Sequence, residues 1–197
     1  MIVLASASPR RQELLRNAGI RFTVQLANID ETPLPSEAPR DCAERLAREK
    51  ALTVHRRMPQ SYILGADTIV VVDDEMLGKP RDREDVARML RLLSGRKHEV
   101  ITGVCVASPI VGQSESPGTG NPELRTASAL TLVTMSEISD DEICVYAASG
   151  EPMDKAGGYA IQGLASRWIP RIEGEYSNVM GLPVALVFAM LKKQGAI

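Results

Sequence analysis

The sequence is poor in aromatic residues and histidine, and its cysteines form no recognisable pairs. Aromatic residues make up 4% of the 197 positions, with 2 histidines and 3 cysteines. The thiols are widely spaced and outside any C-x-x-C pair, at Cys42, Cys105 and Cys144. This argues against a zinc site or a disulfide framework and favours reduced, mostly buried thiols. Each histidine, His55 or His98, stands alone, so we expect structural or solvated roles for them.

Long apolar runs and an excess of one charge are also absent. The longest late apolar stretch, Pro183 to Leu191, is far shorter than the roughly 20 residues that span a bilayer, and we see no basic leader. A net charge of −2 argues against general binding to nucleic acid or acidic membranes, so any bound anion should be small. A hydrophobic content of 44% is enough for a core. We expect a cytoplasmic globular protein with neither a nucleic-acid nor a membrane partner.

The first eleven residues predict a strand, an anion site and a helix in direct succession. The apolar run Met1 to Ala5 suits a short buried strand, and Pro9 suits the first position of a helix that Ser8 caps. Free N–H groups at a helix start form a natural seat for phosphate, and the adjacent Arg10 and Arg11 suit a substrate with several phosphates. A capped surface helix with solvated arginines is an equally good interpretation of this stretch alone.

Two charged residues are notable in the next segments. Glu31 follows a predicted half-buried strand, Arg21 to Ala27, and faces a proline-rich loop. Lys50 lies on the apolar stripe of a helix predicted from about Arg40 to His55. The lysine could extend along the edge of the core with its ammonium in solvent, or the ammonium could be held toward a cleft.

Asp67 lies inside an almost continuous apolar run, Tyr62 to Asp73, which predicts a central strand buried on both faces. A carboxylate there must be neutralised, ion-paired or bound to a metal, since an unpaired buried charge is strongly disfavoured. A salt-bridged structural aspartate is one interpretation. A functional role is favoured because Gly65 and Ala66 leave room beside the carboxylate.

The rest of the pattern alternates helices and strands without an internal repeat. An amphipathic helix is predicted from Arg83 to Leu93. Strands from His98 to Ala107 and from Leu124 to Met135 flank a hairpin tip, Gln113 to Pro122, that we expect to be mobile. Four later segments are a capping box at Ser139 to Glu142, a glycine-rich loop from Asp154 to Gly163, a strand from Trp168 to Ile172 and a helix from about Pro183 to Lys192.

Several ordered motifs together resemble a known family. They are Leu-Ala-Ser6-Ala-Ser8-Pro9-Arg10-Arg11, Leu-Ala-Arg-Glu-Lys50-Ala, Gly65-Ala-Asp67-Thr68-Ile-Val, Gly78-Lys79-Pro80-Arg, Leu-Ser-Gly95-Arg-Lys-His98, Asp154-Lys155-Ala-Gly157-Gly158-Tyr159-Ala-Ile-Gln162-Gly163 and Asn178-Val-Met-Gly181-Leu-Pro183. The chain resembles the Maf family of nucleotide pyrophosphatases, in the branch that acts on dTTP and UTP. The resemblance covers almost the whole chain. Only the segment Ser108 to Glu123 is longer than the family's hairpin, and it carries no motif.

The resemblance implies a fold and a reaction. The implied fold is α/β, a mixed, curved sheet flanked by helices in two lobes with a cleft, similar to the inosine triphosphate pyrophosphatase fold, formed by one domain over residues 1–197. The implied reaction is hydrolysis of a nucleoside triphosphate between the α and β phosphates, with a divalent cation, Mg²⁺ or Mn²⁺, as cofactor. The expected partner is a small nucleotide. The oligomeric state stays open, with a homodimer as one alternative.

Roles for individual residues follow from this resemblance and from charge. Asp67 is the candidate general base, or holds the metal that acidifies the attacking water; Glu31 and Asp67 are the candidate metal ligands. The candidate phosphate-binding residues are Ser6, Arg10, Arg11, Lys50 and Lys79. The matching residues associated with base selection are Arg11, Thr68 and Gln162. Trp168 is expected in the core rather than against a base.

The sequence is compatible with two other functions. A sister branch of the family acts on 7-methyl-GTP, which would keep the reaction and change the base. Relatives have also been linked with septum formation, so a regulator that binds nucleotide without hydrolysing it is a second alternative. The net negative charge of the chain argues against a regulator that binds nucleic acid. The presence of Asp67 together with Lys50 and Lys79 argues against a regulator without catalytic activity.

Overall fold

The computed structural model describes residues 1–110 and 121–197. Contacts divide the chain into two compact units. The first contains Met1–Asp67, Thr102–Ala129 and Gly181–Ile197, and the second contains Thr68–Ile101 and Leu130–Met180. The predicted mobile tip at residues 113–122 falls, apart from its last two residues, outside the described residues.

The strands of the described residues form one mixed sheet of seven strands. They are β1 (Ile2–Leu4), β2 (Phe22–Val24), β3 (Tyr62–Val72), β4 (Glu75–Leu77), β5 (Lys97–Ala107), β6 (Leu124–Thr134) and β7 (Arg171–Glu173). Their order in the sheet is β2-β1-β3-β5-β6-β7, and β4 pairs with β3. Strand β1 runs parallel to both β2 and β3, whereas the β3–β4 and β6–β7 pairs are antiparallel.

Six α-helices occur in the ranges 1–110 and 121–197. They are α1 (Pro9–Asn17), α2 (Pro39–His55), α3 (Arg83–Leu93), α4 (Asp140–Ala148), α5 (Tyr176–Val179) and α6 (Val184–Lys193). Three short 3₁₀ turns follow α4, at Glu151–Asp154, Ala156–Gly158 and Leu164–Trp168. None of the described helices combines the length and apolar character that crossing a bilayer requires.

In the first unit, helix α2 lies directly against the main chain of β3 and β5. A Cβ atom added to Gly65 of β3 would be 2.1 Å from the carbonyl oxygen of Ala47, and one added to Gly103 of β5 would be 2.2 Å from that of Ala43. Because real Cβ atoms do not approach backbone this closely, only glycine permits this contact. The contact brings Lys50, on the sheet-facing side of α2, to the carboxylate of Asp67 on β3.

We expect Gly103→Ala to destabilise the protein strongly. The added methyl group meets the helix backbone, which has no rotamer to change, so overpacking should cost about 3 kcal/mol and lower the Tm by roughly 6–12 °C. Thermal unfolding followed by circular dichroism measures the shift. The matched control is Gly78→Ala, since a Cβ there meets nothing within 4 Å. An unchanged Tm for Gly103→Ala would contradict the direct helix-to-sheet contact.

In the second unit, local capping and apolar packing agree. Helix α3 begins at an Asp82 cap whose side chain accepts from the N–H of Asp85, and α4 begins with a complete capping box between Ser139 and Glu142. Their apolar faces enter a core that contains Tyr146 and Trp168 among other buried residues. The two rings meet edge to face with centroids 5.3 Å apart.

Most predicted elements are confirmed, with three differences near the chain's turns. The helix predicted at Arg83 to Leu93 matches α3 at both ends. The strand predicted at Trp168 to Ile172 is wrong in position, because Trp168 ends a 3₁₀ turn and the strand is Arg171–Glu173. Strand β4 and the short helix α5 were not predicted. The thiols at positions 42 and 105 are buried as expected, whereas that of Cys144 is exposed.

Candidate functional site

An ion-paired group of three side chains lies within the first unit. The Nζ atom of Lys50 is 2.5 Å from Oδ1 of Asp67 and 2.6 Å from Oε1 of Glu31. Each residue comes from a different element: Lys50 from α2, Asp67 from β3, and Glu31 from the segment between β2 and α2. We call Glu31, Lys50 and Asp67 the charged triad.

The three side chains of the triad differ in solvent exposure. The side chains of Lys50 and Asp67 are 8% and 11% exposed, whereas that of Glu31 is 44% exposed. Lys50 therefore does not extend its ammonium into open solvent, and Asp67 has the partner that a carboxylate in an apolar strand requires. Two carboxylates around one ammonium leave a net negative charge, with Glu31 on the solvent side.

The start of α1 lies next to this group. The Ser8 side chain caps the helix by accepting from the N–H of Arg11, with Pro9 in the first turn, as the sequence predicts. The Oγ atom of Ser6 accepts both from the N–H of Ser8, at 3.2 Å, and from Nη1 of Arg11, at 3.1 Å. With its lone pairs engaged, the Ser6 hydroxyl keeps its own O–H to donate to an anion.

The guanidinium of Arg11 connects the helix start to the strand that carries Asp67. Its Nη1 atom donates to the carbonyl oxygen of Ala66 at 2.9 Å, and its Nε atom donates to that of Gly181 at 2.7 Å. Burial lowers the pKa of Arg11, whereas the negative charges of Asp67 and Glu31 raise it. An arginine stays charged under these conditions, so a fixed positive charge lies beside the triad.

The segment that carries Glu31 has no regular secondary structure and is fastened to α2 by an arginine. Arg45 donates from Nε and Nη2 to the two carboxylate oxygens of Glu37, at 2.6 and 2.8 Å, and also from Nη2 to the carbonyl oxygen of Thr32 at 3.2 Å. Glu37 in turn accepts from the N–H of Leu34. This pair has no local signature in the sequence, because its members are eight residues apart across a loop.

The Glu37–Arg45 pair predicts a defined pH dependence of stability. Hydrogen bonds from Arg45 hold the pKa of Glu37 at about 2, below its ordinary value of 4.5. Since the folded pKa is the lower one, the pair's contribution is complete above pH 4.5 and is lost as the pH falls toward 2. We expect Glu37→Gln to be less stable than wild type at pH 7, with the difference shrinking through this window.

Urea unfolding at several pH values between 7 and 2.5 measures that difference. The matched control is Glu75→Gln, because Glu75 pairs with Arg88 on the surface, where both side chains are nearly half exposed. The control should differ little from wild type at any pH. A gap between Glu37→Gln and wild type that stays constant down to pH 2.5 would contradict the assignment.

The remaining predicted site residues are not part of the triad, and they are distributed over both units. Arg10 is half-buried in α1 of the first unit. Thr68, half-buried, directly follows Asp67 in β3 and begins the second unit, which also contains the exposed Lys79 and Gln162. Within the second unit, the N–H of Gly157 donates to the carbonyl oxygen next to Lys79, at Gly78, so the two glycine-containing loops are in contact.

The triad has the donor chemistry for a divalent cation. No group of three or more histidine, cysteine or acidic side chains with metal-binding geometry occurs among the described residues. Mg²⁺, however, is commonly bound by one or two carboxylates together with substrate phosphates, which is what Glu31 and Asp67 can offer. His55 and His98 are not part of this set, because His55 contacts the carbonyl oxygen of Ser108 and His98 contacts the hydroxyl of Tyr159.

These features, a mixed α/β sheet with a carboxylate–lysine–carboxylate group beside a helix start, agree with comparisons to known proteins. The family model for Maf-like proteins matches residues 1–194. The chain therefore belongs to the family of Maf-like proteins, and the resemblance found in its motifs is confirmed.

Relatives match along nearly their whole length. The dTTP/UTP pyrophosphatase of Koribacter versatilis is 49% identical over 196 residues, covering 100% of this chain and 95% of the relative. The dTTP/UTP pyrophosphatase of Geobacter sulfurreducens is also 49% identical, covering 100% of this chain and 97% of the relative. Among solved structures, the Ham1 protein of Staphylococcus aureus matches with a TM-score of 0.45 and 11% identity, covering 98% of each chain.

Proposed function

We propose that this protein is a nucleoside triphosphate pyrophosphatase that hydrolyses dTTP and UTP to the monophosphate and pyrophosphate. The observation that carries the proposal is the charged triad, which places the carboxylate of Asp67 in an apolar strand against the ammonium of Lys50. Relatives about half identical to this chain, named dTTP/UTP pyrophosphatases, support the same substrates.

Asp67 is the general base in this proposal. Lys50 contacts Oδ1, and we assign the proton of the attacking water to Oδ2 of the same carboxylate. Water adds to phosphorus, the bond to the bridging oxygen breaks, and pyrophosphate leaves with the bonding electron pair. The neighbouring ammonium supplies the ion-pair partner that a carboxylate in an apolar strand requires.

Cationic and hydroxyl groups bind the triphosphate in this proposal. Ser6 donates its O–H to a phosphate oxygen, and Arg10, Lys50 and Lys79 balance the charge that collects on the leaving pyrophosphate. Glu31 and Asp67 would hold Mg²⁺ or Mn²⁺. When bound, such a cation would draw charge from the phosphate oxygens and make a nearby water easier to deprotonate.

Base selection is assigned to Arg11, Thr68 and Gln162. Uracil and thymine present two carbonyl acceptors and one N–H, and a glutamine amide offers both a donor and an acceptor to match them. A site that pairs these groups leaves its own polar atoms unsatisfied when another base enters, which gives strong discrimination. The extra methyl of thymine changes binding by only about 1–3 kcal/mol, so both pyrimidines should be accepted.

The test is pyrophosphate release over a panel of nucleotides, each with Mg²⁺, with Mn²⁺ and with chelator. We expect dTTP and UTP to be hydrolysed well, and CTP and the purine triphosphates much more slowly. If 7-methyl-GTP is hydrolysed far faster than dTTP, the substrate assignment is wrong, although the type of reaction stays the same. Tight nucleotide binding without turnover would instead favour the regulator of septum formation.

A cytoplasmic location and a homodimeric state are further parts of this proposal. The absence of paired cysteines from the sequence supports a reducing compartment. Fractionation of cells and the solution mass of the purified protein test the two statements separately.

A further inference from the structure

The loop that carries Gln162 is a tight turn whose two ends are fastened to the same pair of side chains. The N–H of Gly163 donates to the carbonyl oxygen of Ala160 at 3.1 Å, so Gln162 lies at a central position of this turn. The N–H of Ala160 donates to the hydroxyl of Tyr146 at 3.2 Å, and the N–H of Leu164 donates to Oε2 of Glu151 at 3.1 Å.

The two fastening side chains are themselves connected. The Tyr146 hydroxyl donates to Oε1 of Glu151 at 2.9 Å. Tyr146 is fully buried, and burial together with the Glu151 charge raises its pKa, so the hydroxyl keeps the proton that it donates. We call Tyr146 and Glu151, with this hydrogen bond, the clasp.

The turn lies directly against the clasp. A Cβ atom added to Gly163 would be 2.3 Å from Oε1 of Glu151, so the turn rests directly on the carboxylate. The aromatic ring of Tyr146 is in turn packed edge to face on Trp168, inside the core of the second unit. The turn is therefore held by a hydroxyl that belongs to the buried core, although Gln162 itself is exposed.

We propose that Tyr146 and Glu151 are positioning residues for base selection, which act by holding the turn that presents Gln162. The inference rests on the proposed function, because Gln162 must read the base for the clasp to matter to selectivity. A glutamine amide discriminates carbonyl from amine groups only when its donor and acceptor are fixed in direction. A loosened turn lets the amide adapt to the wrong base, so selectivity falls more than turnover on the best substrate.

The test compares UTP with CTP, which carry the same ribose triphosphate. Their rings differ only at two neighbouring positions, because the C4 carbonyl and N3–H of uracil are an amine and an N3 acceptor in cytosine. We expect Tyr146→Phe and Glu151→Gln each to lower the ratio of kcat/KM for UTP over CTP about tenfold, mostly through faster use of CTP. Matched controls are Tyr62→Phe, which removes a hydroxyl bond to the carbonyl of Gln194, and Glu142→Gln, which weakens a bond from Trp168. The controls should leave the ratio unchanged.

A double-mutant cycle separates positioning from a merely structural effect. In a Gln162→Ala background, Tyr146→Phe should lower the ratio by less than about twofold further, since both changes act through one amide. An equal fall with and without Gln162 would overturn the inference. If Gln162→Ala alone leaves the ratio unchanged, the assignment of base selection in the proposed function is wrong.

Hydrogen exchange tests the clasp without any substrate. In Glu151→Gln and in Tyr146→Phe, the amides of Ala160 and Leu164 should exchange at least about tenfold faster, while those of α3 stay protected. Unchanged exchange at both amides in both variants would overturn the inference even if the enzyme hydrolyses UTP. A wild-type protein inactive on UTP and dTTP would reject the proposed function, and with it the role in selectivity.

Discussion

Asp67→Asn should reduce turnover of dTTP and UTP by on the order of 10²-fold or more, because it removes the base and one candidate metal-ligand charge while it keeps the shape of the side chain. Lys50 retains Glu31 as an ion-pair partner in this variant, so no charge is left alone in the core. We therefore expect unfolding by urea to stay close to wild type.

The matched control is Asp85→Asn. Asp85 is also a buried, ion-paired aspartate, with Oδ1 accepting from Arg88 at 2.9 Å, but it belongs to α3 of the second unit. Its loss should lower stability and spare kcat. If Asp67 is the base, steady-state kinetics should show low turnover only for Asp67→Asn. Urea unfolding should show reduced stability only for Asp85→Asn. Near-normal turnover by Asp67→Asn would reject that role.

Lys50→Met should have the second large effect, on turnover and on stability together. The methionine keeps most of the apolar stem but leaves the Asp67 carboxylate in an apolar strand without its ammonium partner, which should cost about 3–5 kcal/mol. Loss of a cation from the proposed phosphate site should also slow hydrolysis by on the order of 10²- to 10³-fold. Urea unfolding and kinetics over the nucleotide panel measure both.

Two further lysines make the interpretation specific. Lys79→Met should slow every nucleotide without lowering stability, because Lys79 is exposed. Lys97→Met should change neither turnover nor stability, since Lys97 makes an exposed ion pair with Glu173. If Lys50→Met or Lys79→Met slows the hydrolysis of nucleotides with one base only, that lysine lies near the base rather than near the phosphates. Full stability of Lys50→Met would contradict the buried ion pair.

Local signals predict most of the secondary structure and the main parts of the triad. The apolar stripe of α2 places Lys50 toward the core, and the continuous apolar run of β3 requires a partner for Asp67. The pairing of the two follows from neither stretch alone. It depends on Gly65 and Gly103, which are 38 positions apart in sequence and let α2 lie on both strands.

Contacts that depend on tertiary structure were not predictable from spacing. Arg45 and Glu37 are on either side of an irregular loop, and Glu151 reaches Leu164 across a glycine-rich segment. No periodicity links such positions, because each bond closes a loop whose path is set elsewhere. The strand at Arg171–Glu173 was misplaced for a similar reason, since Trp168 reads as part of an apolar run but packs in the core at the end of a 3₁₀ turn.

Helix α2 packs directly on the main chain at Gly65 and Gly103, and this contact limits which substitutions the chain can accept in evolution. Leucine, isoleucine and methionine elsewhere in the core can exchange with compensating changes in volume, so drift there is gradual. No side chain is smaller than that of glycine, and the next larger one meets a backbone carbonyl of the helix that carries Lys50. In a library randomised across the first unit, the surviving sequences should diversify freely in the apolar core and stay fixed at these two positions.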